Sequence, residues 1–175
     1  MRHSSISQAS RTVNRQNSLV AEWLASVPDV QARLNAAEYG VAERLDFEVG
    51  DISAERHASP GYDLVVLFEV LHDLSHPVEA LASARKSLAP GGTVIIMDER
   101  VAEAMPPAGD PVETFFATAS VLWCLPQGRV ERDSQAVGTV MRPDMLRGLA
   151  TKAGYQSVDI LPIEHPFWRF YRLSV

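Results

Sequence analysis

The stretch Tyr62-Asp63-Leu64-Val65-Val66-Leu67-Phe68-Glu69-Val70-Leu71-His72-Asp73-Leu74 decides the fold class. Leu64–Phe68 is continuously apolar and too short for a helix, so it reads as a central strand covered on both faces of a largely parallel sheet. A helical period follows. Ser75 or His76 can cap a helix with Pro77 in its first turn, Val78, Leu81, Ala82 and Leu88 share one face, and Pro90-Gly91-Gly92 ends it. Thr93–Met97 is the next strand. Strand, helix and strand in this order place the chain in the α/β class.

Upstream, Leu45–Val49 alternates apolar and acidic residues, as a half-buried strand near a sheet edge does. Asp29 can cap a preceding helix, with Val30, Leu34 and Ala37 on one face and Gly40 as its stop. A shorter helix is expected after Asn17 or Ser18, through Leu19, Val20, Trp23 and Leu24 to Pro28. Residues 1–20 carry Arg2, Arg11 and Arg15 without an acid and lack any apolar period. The expected division is a polar arm and short helix over 1–28 and one domain over 29–175.

Downstream, 100–141 is a long excursion containing Met105-Pro106-Pro107, an apolar helical stretch and a polar segment from Gln127 to Gln135. Excursions of this length in compact domains are often lids or binding loops. Pro143 opens a helix with Leu146, Leu149, Ala150 and Ala153 on one face and Gly154 beyond its end. Ser157–Leu161 and Phe167–Leu173 read as two closing strands.

Composition narrows the function. The chain has 175 residues, is 46% hydrophobic and 22% charged, and has a formal charge of -6, so it has enough apolar material for one packed domain. Its acidic balance argues against nucleic acid as a main partner, because phosphate backbones are bound by clustered Lys and Arg. No apolar run reaches membrane-spanning length, and the lone Cys124 points to a reducing, cytoplasmic compartment.

Taken in order, Asn35-Ala36-Ala37-Glu38-Tyr39-Gly40-Val41 leading into Leu45–Asp51, then Tyr62–Leu74, then Ser87-Leu88-Ala89-Pro90-Gly91-Gly92-Thr93-Val94-Ile95-Ile96-Met97-Asp98-Glu99, resemble the later part of a class I S-adenosylmethionine-dependent methyltransferase. The resemblance implies a Rossmann-like sheet ending in an antiparallel strand pair, S-adenosylmethionine as cofactor, and methyl transfer to a small-molecule acceptor. It implies cofactor contacts at Asp51 and Ile52 on the adenine side and at Phe68 and Glu69 on the methionine side. His72, Asp73, Asp98 and Glu99 would face the substrate, His72 being a candidate general base. No metal site is expected; Glu69, His72 and His76 have suitable side chains, but the break before Pro77 separates His76 from the other two.

The chain departs from the family at its start. No glycine precedes Gly40, so the glycine-rich loop and the first two strands are not found. Without them Leu64–Phe68 becomes an edge, and an exposed apolar edge invites pairing. Two outcomes are expected: Leu45–Val49 pairs directly with Leu64–Phe68 through a crossover at 50–61, or another chain covers the edge, for instance in a homodimer. The competing functional reading is therefore a non-catalytic methyltransferase-like remnant or interaction subunit. A nicotinamide-dependent oxidoreductase lacks both its glycine fingerprint and the segments above.

Several residues also have plainer readings. Asp51 can simply close a turn. Phe115, Phe116 and Trp123 read as core ahead of pocket wall, Cys124 as a buried small hydrophobe, Gly91-Gly92 as a reverse turn, and Arg129, Glu131, Arg132 and Asp133 as a solvated loop.

Overall fold

The computed structural model describes residues 32–47, 50–53, 61–104, 110–131 and 133–175. The expected arm, the helix after Asn17 or Ser18, and the start of the helix after Asp29 lie outside these residues. Helix α1 covers 32–38 and stops where expected, with Gly40 at φ +64° and Val41 N–H donating to Ala36 O. Four strands form one sheet in the order β1-β2-β4-β3: β1 Tyr62–Phe68, β2 Leu88–Glu99, β3 Ser157–Ile160 and β4 Trp168–Ser174. β1 and β2 are parallel, and the β2–β4 and β4–β3 pairs are antiparallel.

The parallel pair is joined by α2, Pro77–Lys86. Pro77 begins it as expected, but neither candidate cap acts through its side chain: His76 makes no capping bond, and Ser75 Oγ donates instead to Gly128 O. The helix also stops short of Pro90. Leu88 already pairs with Tyr62, and the register shift between Tyr62 and Leu64 absorbs Ala89-Pro90-Gly91-Gly92 as an irregularity inside β2. Gly92 is required there, since a Cβ would lie 2.7 Å from Tyr62 O.

Alternation along the strands sends Leu67, Val94, Ile96, Tyr171 and Leu173 to one face. There they pack with Ala80, Leu81 and Ala84 of α2 and with Leu146, Leu149 and Ala150 of helix α5, Pro143–Lys152. Tyr155, just after α5, closes this layer by donating its hydroxyl to Leu81 O at 3.0 Å. The opposite face is far less covered among the described residues. Leu64 and Phe68 are exposed there, with Phe68 set edge-on to Phe170. Leu64–Phe68 is thus not the doubly covered strand that its composition suggests.

The expected strand Leu45–Val49 is also corrected. Leu45–Phe47 lies outside the sheet, Glu48 and Val49 fall outside the described residues, and β1 pairs only with β2 among those described. Among the described residues, direct pairing of Leu45–Phe47 with Leu64–Phe68 is not formed.

In the excursion, α3 spans Pro111–Ala119, a wider π-turn follows over Ser120–Cys124, and α4 covers Leu125–Gly128. Asp110 caps α3 by accepting from Val112 N and Glu113 N. The buried residues Phe116, Ser120, Cys124 and Gly128 recur every four residues, so one narrow stripe faces the Leu71–Asp73 turn and the 136–139 segment. Phe115, Leu122 and Trp123 are 64%, 74% and 67% exposed. The reading of Phe115 and Trp123 as core is therefore overturned; Phe116 alone of the three aromatics is buried.

Candidate active site

Because β1 and β2 are parallel, their carboxyl ends meet at one edge of the sheet, where open α/β sheets bind ligands. Glu69 leaves β1 with its N–H still on Met97 O, but at φ +53°, a left-handed backbone that costs a non-glycine residue about 1–2 kcal/mol. That kink leads into the 3-10 turn Leu71–Asp73. Asp98 continues the buried Val94–Ile96 face of β2, and Glu99 ends the strand.

The turn and the strand end bring four of the expected substrate-facing residues together. His72 Nδ1 lies 2.9 Å from Asp98 Oδ1 and 3.3 Å from Glu99 Oε2, and Nε2 lies 3.4 Å from Asp73 Oδ1. His72, Asp98 and Glu99 are 3%, 1% and 4% exposed. Glu69 is close enough to interact with Asp98, His72 and Asp73, and its Oε1 is buried without a hydrogen bond.

The excursion supplies the cover. The π-turn points Cys124 inward, so that its thiol, an Asp73 oxygen and a His72 nitrogen all lie within 4.8 Å of one another. Gly138 N–H donates to His72 O at 3.0 Å, and Thr139 Oγ1 donates to Phe116 O at 2.7 Å. Gly128 packs directly on the turn, where a Cβ would lie 3.0 Å from Asp73 O. An ion pair between Arg142 Nη2 and Glu113 Oε2 at 2.9 Å ties α3 to the start of α5, and Glu113 also accepts from Ala102 N just past β2.

The electrostatics follow from burying many acids around one imidazole. Burial, then Asp98, raises Glu69 to about 7 against the help of His72. Burial followed by Asp98 pushes Glu99 up to about 11. For His72, burial opposes the imidazolium, but the Asp98 hydrogen bond and the charges of Asp98, Asp73 and Glu69 outweigh it and raise the value. Burial and Asp73 push Cys124 up to about 12, which keeps it an inert buried thiol, as its sequence context suggests.

A stability prediction follows. Folded Glu69 holds a proton that the unfolded chain releases near 4.5, so its contribution is fully present below that pH and is lost as pH rises toward about 7. Glu69→Gln should flatten the fall in unfolding free energy between pH 5 and 7.5 by roughly 1–2 kcal/mol after allowance for partial exposure. Urea titrations of both proteins across this range measure it; parallel curves would exclude the effect.

The remaining expected residues are placed differently. Asp51 is exposed, and its Oδ1 accepts from Ser53 N at 2.9 Å and from Ser53 Oγ, which is the turn-closing role. Ile52 packs against the core cluster. His76 does not join Glu69 and His72; its Nε2 lies 2.8 Å from Glu131 Oε2 at the surface, next to Asp133. Glu131 is thus more than part of a solvated loop. Cys124 and the Gly138 amide are site components that the sequence reading missed. An apolar helix and a turn glycine carry no signal of where they will dock.

Comparisons with known proteins agree with the expected resemblance. A family profile described as a methyltransferase domain matches residues 24–94. A highly reducing polyketide synthase from Emericella nidulans, pkhB, is 33% identical over 88 residues, 46% of this chain and 3% of that protein. Among solved structures, an O-methyltransferase-like protein from Nostoc punctiforme aligns with TM-score 0.57 and 20% identity over 81% of this chain and 39% of that one. PigF, solved with S-adenosylhomocysteine, aligns with TM-score 0.59 and 20% identity, covering 82% and 39%. The chain therefore spans about 39% of the length of these solved structures, and its mixed four-stranded sheet is part of their fold.

Proposed function

We propose that this chain, a class I S-adenosylmethionine-dependent methyltransferase type by profile match and fold, takes part in methyl transfer to a hydroxyl of a small molecule in the cytoplasm. The observation that carries the reading is the buried His72–Asp98 pair at the carboxyl edge of the parallel strands. An imidazole whose Nδ1 is held by a carboxylate keeps Nε2 directed at one place, the arrangement a general base needs.

The site suits a cationic methyl donor. Glu69 Oε1 and Asp73 Oδ1 are buried acceptors without hydrogen bonds, and acids outnumber bases around His72. Glu69 and Phe68 would lie at the donor's methionine end, and Asp51, through the oxygen that Ser53 does not engage, would receive the adenine amine beside Ile52. The bound donor supplies an electrophilic methyl on a positively charged sulfur. A positive charge near Glu69 lowers His72 toward its neutral form. Neutral His72 would take the acceptor's hydroxyl proton at Nε2, leaving the oxygen ready for the methyl that the bound donor would supply. Asp98 stabilises the resulting imidazolium, while Asp73 and Glu99 border the acceptor.

Calorimetry with S-adenosylmethionine and S-adenosylhomocysteine should give saturable binding, weakened by Glu69→Ala. Absence of heat at millimolar ligand would sink the reading for this chain. It would favour the alternative of a non-catalytic interaction subunit, for which the unpaired outer edge of β1 among the described residues is the motivating observation.

A further inference from the structure

We infer that Glu99 is a positioning residue: it stands in the site as a neutral carboxylic acid whose proton bridges to Asp98, and this acid pair is what aims Asp98 at His72 Nδ1. The inference rests on the proposed role of His72.

Neighbouring residues of a strand normally point to opposite faces. Asp98 and Glu99 instead share one buried cluster, because β2 ends at Glu99 and the chain turns there. Glu99 N–H donates to Asp98 Oδ1 at 3.1 Å, which fixes the Asp98 carboxylate against the Glu99 backbone, and the two side chains offer carboxyl oxygens within 4.8 Å of each other and of a His72 nitrogen. Asp98 Oδ2 and Glu99 Oε2 are both buried without a hydrogen bond. A single proton shared within the pair would give both oxygens a partner.

The surroundings require it. Glu69 faces the pair from the end of β1, Asp73 and His72 from the 3-10 turn, Cys124 from the π-turn, and Tyr171 and Arg169 from β4. Four acids thus meet one imidazole and one guanidinium, and Arg169 Nη1 is engaged with Val101 O. Two buried carboxyl groups with oxygens within 4.8 Å of each other disfavour double ionisation at neutral pH. Glu99 is the better holder of the proton. Asp98 is already committed as acceptor to His72 Nδ1, whereas Glu99 Oε2, at 3.3 Å, is the more distant oxygen. A neutral Glu99 leaves Asp98 as the single negative partner of Nδ1, so imidazole orientation is set by one bond.

The test is a carbon-detected titration of the 175-residue chain with labelled Glu and His. The Glu99 carboxyl should keep the shift of a protonated acid from pH 5 to 9. Glu99→Gln, which retains a neutral donor of the same shape, should leave the His72 midpoint in place. Glu99→Ala should lower it by about one unit as Asp98 loses its anchor, a change of roughly tenfold in imidazole protonation. An ionised Glu99 at pH 7 in the unsubstituted protein would overturn the inference. So would a His72 midpoint that falls in Glu99→Gln as far as in Glu99→Ala. The carboxyl signal needs no variant to fold. Neither readout involves S-adenosylmethionine, so failure of the methyl-transfer reading would be seen separately, in calorimetry.

Discussion

His72→Asn should slow methyl transfer by about 10²–10⁴-fold, the range that a positioned general base contributes. The amide nitrogen of Asn takes roughly the place of Nδ1 and can still donate to Asp98, so the substitution does not strand a buried carboxylate, which would cost stability in its own right. What it removes is the second ring nitrogen. Donor affinity should change little, because the acids at Glu69 and Asp73 remain. The pH–rate profile is the sharper readout. In the unsubstituted protein the rate should rise as His72 loses its proton, from a value held above the ordinary histidine range by Asp98, and that limb should vanish in His72→Asn. A variant with an unaltered rate and an unaltered acid limb would remove His72 from the chemistry.

The acid–imidazole site was legible in sequence because it is built from strand ends. Runs such as Leu64–Phe68 and Thr93–Met97 fix two parallel strands, and the residues just past them, Glu69, Asp98 and Glu99, must then share one edge. His72 and Asp73 follow within a single turn, so their place was set by chain length alone. Pro143 and Gly154 framed α5 correctly for the same local reason. Where the outcome depended on distant partners, the pattern misled. The alternation in Leu45–Val49 describes a strand only if a neighbour accepts it, and Leu45–Phe47 has none in the sheet. The apolar run in 115–125 satisfies a helix on every face, so nothing local distinguishes the buried Phe116 and Cys124 from the exposed Phe115 and Trp123. That choice is made by the Thr139–Phe116 and Gly138–His72 bonds, which join segments far apart in the chain. Asp51 shows the converse: a residue with a functional resemblance whose visible bonds are those of an ordinary turn.

Gly138→Ala should be the most damaging single-methyl change, costing about 3 kcal/mol or more through combined overpacking and left-handed strain. The backbone there has φ +75°, and a Cβ would fall 2.1 Å from Ser120 Oγ and 2.9 Å from Leu125 Cγ. Neither neighbour can withdraw easily, because Ser120 and Leu125 lie at the two ends of the wide turn that carries Cys124. Gly40→Ala is the matched control. It also has a left-handed backbone, at φ +64°, but nothing lies within 4 Å of the added carbon, so only the conformational cost of about 1–2 kcal/mol applies. Urea unfolding of both variants should separate steric from conformational cost. Adding Ser120→Ala to Gly138→Ala removes the nearest clash and should recover part of the difference, a coupling that a double-mutant cycle reads directly. Gly138 also holds His72 through its amide, so the displacement should reach the site. Cys124, buried in the unsubstituted protein, should become reactive toward a thiol reagent under native conditions in Gly138→Ala and stay protected in Gly40→Ala. Equal stability losses in the two glycine variants, with Cys124 protected in both, would show that the excursion is not anchored to the site at this point.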